Sequence, residues 1–135
     1  MNPIVKKDIL NTLQQAVDAI KKENLYKLRD LSDHVINNAA IFQDKDSISI
    51  AVTIYSLSKI YKDPKHVDDF VLPHLINAIK YLEEGEINKY ESEIKQIIKD
   101  MTKHNLHAKY YIQEVLERSQ IKKASKMFEH GISMT

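Results

Sequence analysis

The chain has 135 residues, 43% hydrophobic and 29% charged, with 20 basic and 19 acidic residues and a net charge of +1. That length suits one domain burying its own core, and that balance excludes a global electrostatic pull toward nucleic acid or membrane, so any such binding must come from local clustering. Two glycines, three prolines and no cysteine leave little turn chemistry for a many-stranded sheet and remove disulfides, thiolate chemistry and Cys-ligated zinc.

The expected fold class is all-α: a compact bundle of about six helices in a single domain, residues 1–135, in a reducing, cytoplasmic setting. The start, MNPIVKKDIL, lacks the charged region and apolar run of a signal peptide. The longest charge-free stretch, Ser47 to Ser58, is twelve residues, whereas a membrane span needs about 20 apolar ones. No membrane association is expected.

A first helix is predicted over about residues 3–22, with Asn2 as cap, Pro3 at the first helical position, and Ile9, Leu13, Ala16, Val17 and Ile20 on one face. Asn24 interrupts that pattern. The second helix, about 25–42, carries the stripe Leu28, Leu31, Val35, Ala39 and Phe42. Residues 43–46 form a short polar connection, with Asp46 or Ser47 as the expected cap of the next helix. That third helix, about 47–61, is apolar nearly all round, its polar positions being small hydroxyls that bond back to helix carbonyls. A helix apolar on every side is usually enclosed by others, so it is read as the central rod of the core.

Asp63 and Pro64 mark the next start, and Val67, Val71, Leu75, Ala78, Ile79 and Leu82 make a stripe to about residue 84. Pro73 should kink or split this helix, and Gly85 should end it in a left-handed cap. Ile87, Tyr90, Ile94, Ile97, Ile98 and Met101 define a fifth helix to about 103. A long last helix is expected over about 106–130, its first face formed by Ala108, Tyr111, Ile112, Val115 and Leu116. The apolar pattern weakens after Leu116, so residues 117–135 are expected to project as a connector or to pack on a partner.

Two surfaces stand out. On the second helix Arg29 and His34 have the spacing R-x4-H, within RDLSDH. On the last, Arg118, Lys122 and Lys126 stand at i, i+4 and i+8 with Lys123 beside them, a stripe that could neutralise phosphates. The interleaved Glu114, Glu117 and Glu129 equally suit a solvated face of mixed charge. His104 and His107 are H-x2-H at a helix junction without a third ligand nearby in sequence, so neither metal nor cofactor is expected. His66 with Asp68 and Asp69, and the pair Asp44 and Asp46, read as first-turn and capping residues.

The RDLSDH segment resembles the motif of the HEPN ribonuclease superfamily. That resemblance implies Arg29 as phosphate holder and His34 as proton carrier, usually at a dimer interface. Here the motif lies in the second helix rather than the last core helix of that family. Residues five apart on a helix also point about 140° apart, so the plain alternative is a solvated face with an Arg29–Asp33 pair.

Residues 28–52, the IYSLSKI that follows, and IKKASKMFEHGIS at 121–133 resemble helical proteins of archaea. In those proteins the His-Gly-Ile-Ser step leads into a helix-turn-helix-like, antitoxin-type tail. The present sequence stops at Met134-Thr135, where that module would begin. The resemblance thus implies a regulatory role for a longer protein. The favoured expectation is a non-enzymatic regulatory or interaction domain, associated with nucleic acid through the basic end of the last helix. The alternatives are a ribonuclease using Arg29 and His34, and a homo-oligomerising or protein-binding bundle.

Overall fold

A computed structural model describes residues 1–61, 65 and 67–120. Among these the chain folds into six α-helices and a π-helical turn, with no strand: α1 (Pro3–Lys21), α2 (Leu25–Phe42), α3 (Lys45–Ile60), the π-helical turn (Val67–Val71), α4 (Leu72–Glu83), α5 (Ile87–His104) and α6 (Ala108–Arg118).

Helix α3 is the hub. Ten of its sixteen residues are buried, Ser47, Thr53 and Ser56 among them, and α1, α2, α5 and α6 all pack against it. The buried Thr53 and the half-buried Ser49 and Ser58 satisfy their hydroxyls within the helix. Ser49 Oγ donates to the Lys45 carbonyl at 2.7 Å, Thr53 Oγ1 to Ser49 at 2.8 Å, and Ser58 Oγ to Tyr55 at 2.6 Å. Helix α4 closes the bundle from the far side, against α1 and α5.

The stripes read from the sequence are the core. Ile9, Leu13, Leu28, Val35, Ile48, Ile54, Leu57, Leu75, Leu82, Ile97, Ile112 and Val115 are each at most 1% exposed. Each such side chain contributes about 1.5–3 kcal/mol relative to leaving it in water. Phe42 departs from its stripe: at the last position of α2 it is 37% exposed, beside Ile41 at 73%.

The helix ends follow local chemistry. Asn2 accepts from the Ile4 N–H and Asn24 from the Lys27 N–H. Helix α3 begins two residues earlier than the sequence suggests, and its cap is Asp44 rather than Asp46 or Ser47. Asp44 has extended backbone and its carboxylate accepts from the Ser47 N–H at 3.3 Å. Asp46 falls inside the first turn instead. The expected break at Pro73 takes a definite form: the chain runs as a π-helical turn through Val71, then tightens into α4 with Pro73 in its first turn. The missing proline N–H costs least there. At the other end of α4, Gly85 has φ +76°, and the Gly85 and Glu86 N–H groups return to the Leu82 and Tyr81 carbonyls.

The last helix differs most from expectation. Asn105 accepts from the His107 N–H at 2.8 Å, and α6 starts at Ala108. It ends at Arg118. Gln120 adopts φ +55°, and its N–H bonds the Glu117 carbonyl, so the chain leaves the helical path there. The helix expected over 106–130 is therefore interrupted at Ser119–Gln120. Lys122, Lys123 and Lys126, like the proposed connector beyond residue 120, lie outside the described residues, as do Asp63, Pro64 and His66.

One buried and one half-buried polar group give direct tests. The Tyr90 hydroxyl is enclosed and has no hydrogen-bond partner among the described residues. Burial, then the charges of Asp46, Glu91 and Asp44, push this phenol well above its ordinary range. Because the hydroxyl is desolvated without compensation, Tyr90→Phe should leave the unfolding free energy unchanged or raise it by up to about 1 kcal/mol. A loss of more than about 1 kcal/mol in urea titrations would mean the hydroxyl is bonded.

Asp46 has its carboxyl raised from the ordinary value of 3.8, by burial first and then by Glu91 and Asp44, against Lys45 and the N-terminal amine. The folded state therefore favours protonated Asp46. Its contribution is fully present below the unfolded pKa and is lost as pH rises through the raised folded value. Asp46→Asn removes that loss, so the stability of the variant minus that of the wild type should rise between about pH 3 and pH 7. A difference that falls over the same urea titrations would contradict the assignment.

Candidate functional site

Three polar stripes of α2, α3 and α6 meet in one cleft. Leu25, Arg29, Ser32 and Asp33 come from α2, and Tyr55, Ser58 and Lys59 from the end of α3, with Tyr61 just beyond. Tyr111 and Arg118 come from α6, and the open cleft has a volume of about 520 Å³. This falls within the roughly 300–1,000 Å³ usual for small-molecule sites. On each helix the spacing is three, four or seven residues, which places the side chains on one face.

The lining carries three cations against one carboxylate, and each cation stands near a tyrosine ring. The Lys59 ammonium lies 5.2 Å from the Tyr55 ring centre and the Arg118 guanidinium 5.7 Å from the same ring. At the rim, Arg29 lies 6.0 Å from Tyr26. These are cation–π distances. Tyr55 is itself buried, its hydroxyl donating to the Glu114 carboxylate, and Tyr111 meets it edge-on at 6.2 Å. Tyr61 donates to the Ile20 carbonyl at the end of α1 at 3.2 Å. Burial, then the charges of Glu23 and Asp68, raise the Tyr61 phenol above its ordinary value, so it stays a neutral donor at physiological pH.

Arg118 folds inward, 3.3 Å from the Asp33 carboxylate on α2. The two side chains remain 46% and 68% exposed, so the pair contributes at most about 0.2–1 kcal/mol and is readily exchanged for another anion.

The two residues of the R-x4-H spacing are separated. Arg29 lines the cleft, whereas His34 turns to α1, where its Nε2 lies 2.8 Å from Asp8 Oδ1. Asn38 donates to the other Asp8 oxygen at 2.6 Å. One chain does not bring Arg29 and His34 together, and a nuclease using both would have to assemble them from two. Arg29 lies over Tyr26, while Asp33 pairs with Arg118. His104 pairs with Asp100 one turn back in α5, and His107 precedes α6 with its ring 6.3 Å from Tyr111. Among the described residues no group of three or more His, Asp or Glu is placed to hold a metal ion, and no helix is long and apolar enough to cross a membrane.

Of the cleft residues, the sequence alone points to Arg29, Asp33 and Arg118. Lys59, Tyr55 and Ser58 fall within the segment whose composition marks the central rod, and Tyr111 within an apolar helical face. Their signal was the i, i+3, i+4 set Tyr55, Ser58 and Lys59, the one place where the rod's face turns polar and ends in a charge. Comparison with protein-family models, with curated proteins and with solved structures gives no match to this chain.

Proposed function

We propose that this domain is a non-enzymatic interaction module that binds nucleic acid through the cleft between α2, α3 and α6. The observation that carries the reading is the alternation of Arg29, Lys59 and Arg118 with tyrosine rings around one concavity. Phosphate binding needs cations free to exchange partners, and base contact needs π faces beside them. The cleft supplies both on helices fixed by the core. The overall charge of only +1 is no obstacle, because three cations gathered at one site set the local potential. The reading keeps Arg118 as a binding residue and adds Arg29 and Lys59 to it. A regulatory role of the kind the archaeal resemblance implies would use this cleft to hold a nucleic-acid partner.

The test is fluorescence anisotropy with a labelled oligonucleotide across a salt series. Binding should weaken steeply with salt. The double variant Arg29→Ala/Arg118→Ala should bind more weakly at every salt concentration, with a log–log slope shallower by about 1.5, the share of two phosphate contacts at roughly 0.7–0.9 each. An unaltered affinity in that variant would remove the cleft as the site.

Asp33 supplies an opposite sign. It holds the Arg118 guanidinium that the ligand phosphate would take over, so Asp33→Asn should tighten binding by about 2- to 5-fold, the equivalent of an exposed ion pair. Weaker binding by that variant would show that Asp33 orients Arg118 instead of competing for it.

A further inference from the structure

Building on the nucleic-acid reading of the cleft, we infer that its ligand is a single-stranded segment with an unpaired base, not a duplex. The base lies against Tyr111 and Tyr61, and the flanking phosphates lie on Arg29, Lys59 and Arg118. The argument begins with shape. The cations and rings line a concavity between three helices, and they do not stand on one ridge. A duplex is a convex rod with its base faces stacked inside, so it offers phosphates, sugars and base edges to such a surface but no base face to stack on a ring. A single strand can turn a base into the cleft and stack it on an aromatic face.

The placement of the rings agrees with this. Tyr111 and Tyr61 are half-buried, so part of each remains open to the cleft. Each is fixed from behind, Tyr111 by the Tyr55 ring and Tyr61 by its bond to the Ile20 carbonyl. A ring held in place loses little freedom when a base stacks on it. Tyr55 is different: it is buried and already carries Lys59 and Arg118 near its ring, so it seats the cations and leaves stacking to the other two. The volume of about 520 Å³ is that of a site for a small ligand, which matches one or two nucleotides entering and not a groove following a helix.

The experiment compares a labelled single strand of about 12 nucleotides, oligo-dT, with a labelled duplex of the same length. Binding to the full chain is measured by anisotropy at low salt, with poly-glutamate as competitor. The single strand should bind at least about 10-fold more tightly than the duplex, and the ring-proton resonances of Tyr61 and Tyr111 should move upfield on adding oligo-dT, as stacking requires. Tyr111→Leu should weaken single-strand binding by about 5- to 30-fold with little change for the duplex, and Tyr111→Phe, which keeps the ring, should restore it.

Equal or tighter binding of the duplex overturns the inference while leaving the cleft a nucleic-acid site. Displacement of oligo-dT by poly-glutamate at matched charge also overturns it, since the cleft would then read charge alone, as an acidic protein partner would require. Binding of neither probe overturns this inference and the proposed function together. Should Tyr111→Leu fail to fold, the strand-to-duplex ratio and the tyrosine shifts of the wild-type chain still decide the matter.

Discussion

The enclosure of α3 is the constraint on which the rest of the architecture depends. A helix with no charge between Ser47 and Ser58 exposes apolar surface in every direction, and four other helices are needed to cover it. That requirement leaves α3 polar partners only at its two ends. At the start, Asp44 and Asp46 meet the Tyr90 and Glu91 region of α5. At the finish, Tyr55, Ser58 and Lys59 emerge between α2 and α6. The cleft is thus a consequence of where the enclosed helix stops being enclosed.

Tyr55 joins the two regimes. Its ring belongs to the core, while its hydroxyl and its cation neighbours belong to the cleft. A tyrosine suits such a boundary because it has a large apolar body and a single polar tip. The bond to Glu114 satisfies that tip, and the electron-rich ring face attracts Lys59 and Arg118. Two long, mobile cationic side chains acquire preferred positions without a second carboxylate to neutralise them. The cleft thus gathers positioned but incompletely paired charge from three helices, whereas Lys22 on α1 is paired with Asp18 one turn away.

The helical stripes of α1, α4 and α5 and the all-apolar α3 were legible in the sequence because burial imposes a period on the residues themselves. Boundaries were less so. Asp44 competes with Asp46 and Ser47 for the cap of α3, and only the extended backbone at Asp44 decides between them. The end of α6 was hidden for a stronger reason: Gln120 is neither glycine nor asparagine, yet it takes the left-handed conformation that those residues usually mark. Glu23 and Gln43 do the same at the ends of α1 and α2, where loss of the apolar pattern still betrayed the turns. Periodicity therefore found the ends that coincide with a change of burial and missed the one followed by a mixed-charge run.

The cleft was illegible for a different reason. Each of its stripes could be read on its own helix, Arg29 with Ser32 and Asp33, Tyr55 with Ser58 and Lys59, Tyr111 with Arg118. Nothing in a helical period states which faces of three non-consecutive helices will meet. The pairing of Asp33 with Arg118 spans 85 positions and arises only because α2 and α6 both pack on α3. Arg118 itself read as the first residue of an outward stripe, since a basic residue near the end of a helix ordinarily faces solvent and the C-terminal dipole. What turns it inward is the combination of a carboxylate on α2 and the Tyr55 ring on α3. Each attraction alone is weak for a half-exposed guanidinium; acting together, from two different helices, they fix its direction. An anionic ligand would compete with the carboxylate alone, so its arrival would leave Arg118 seated against the Tyr55 ring and exchange only the partner at its tip.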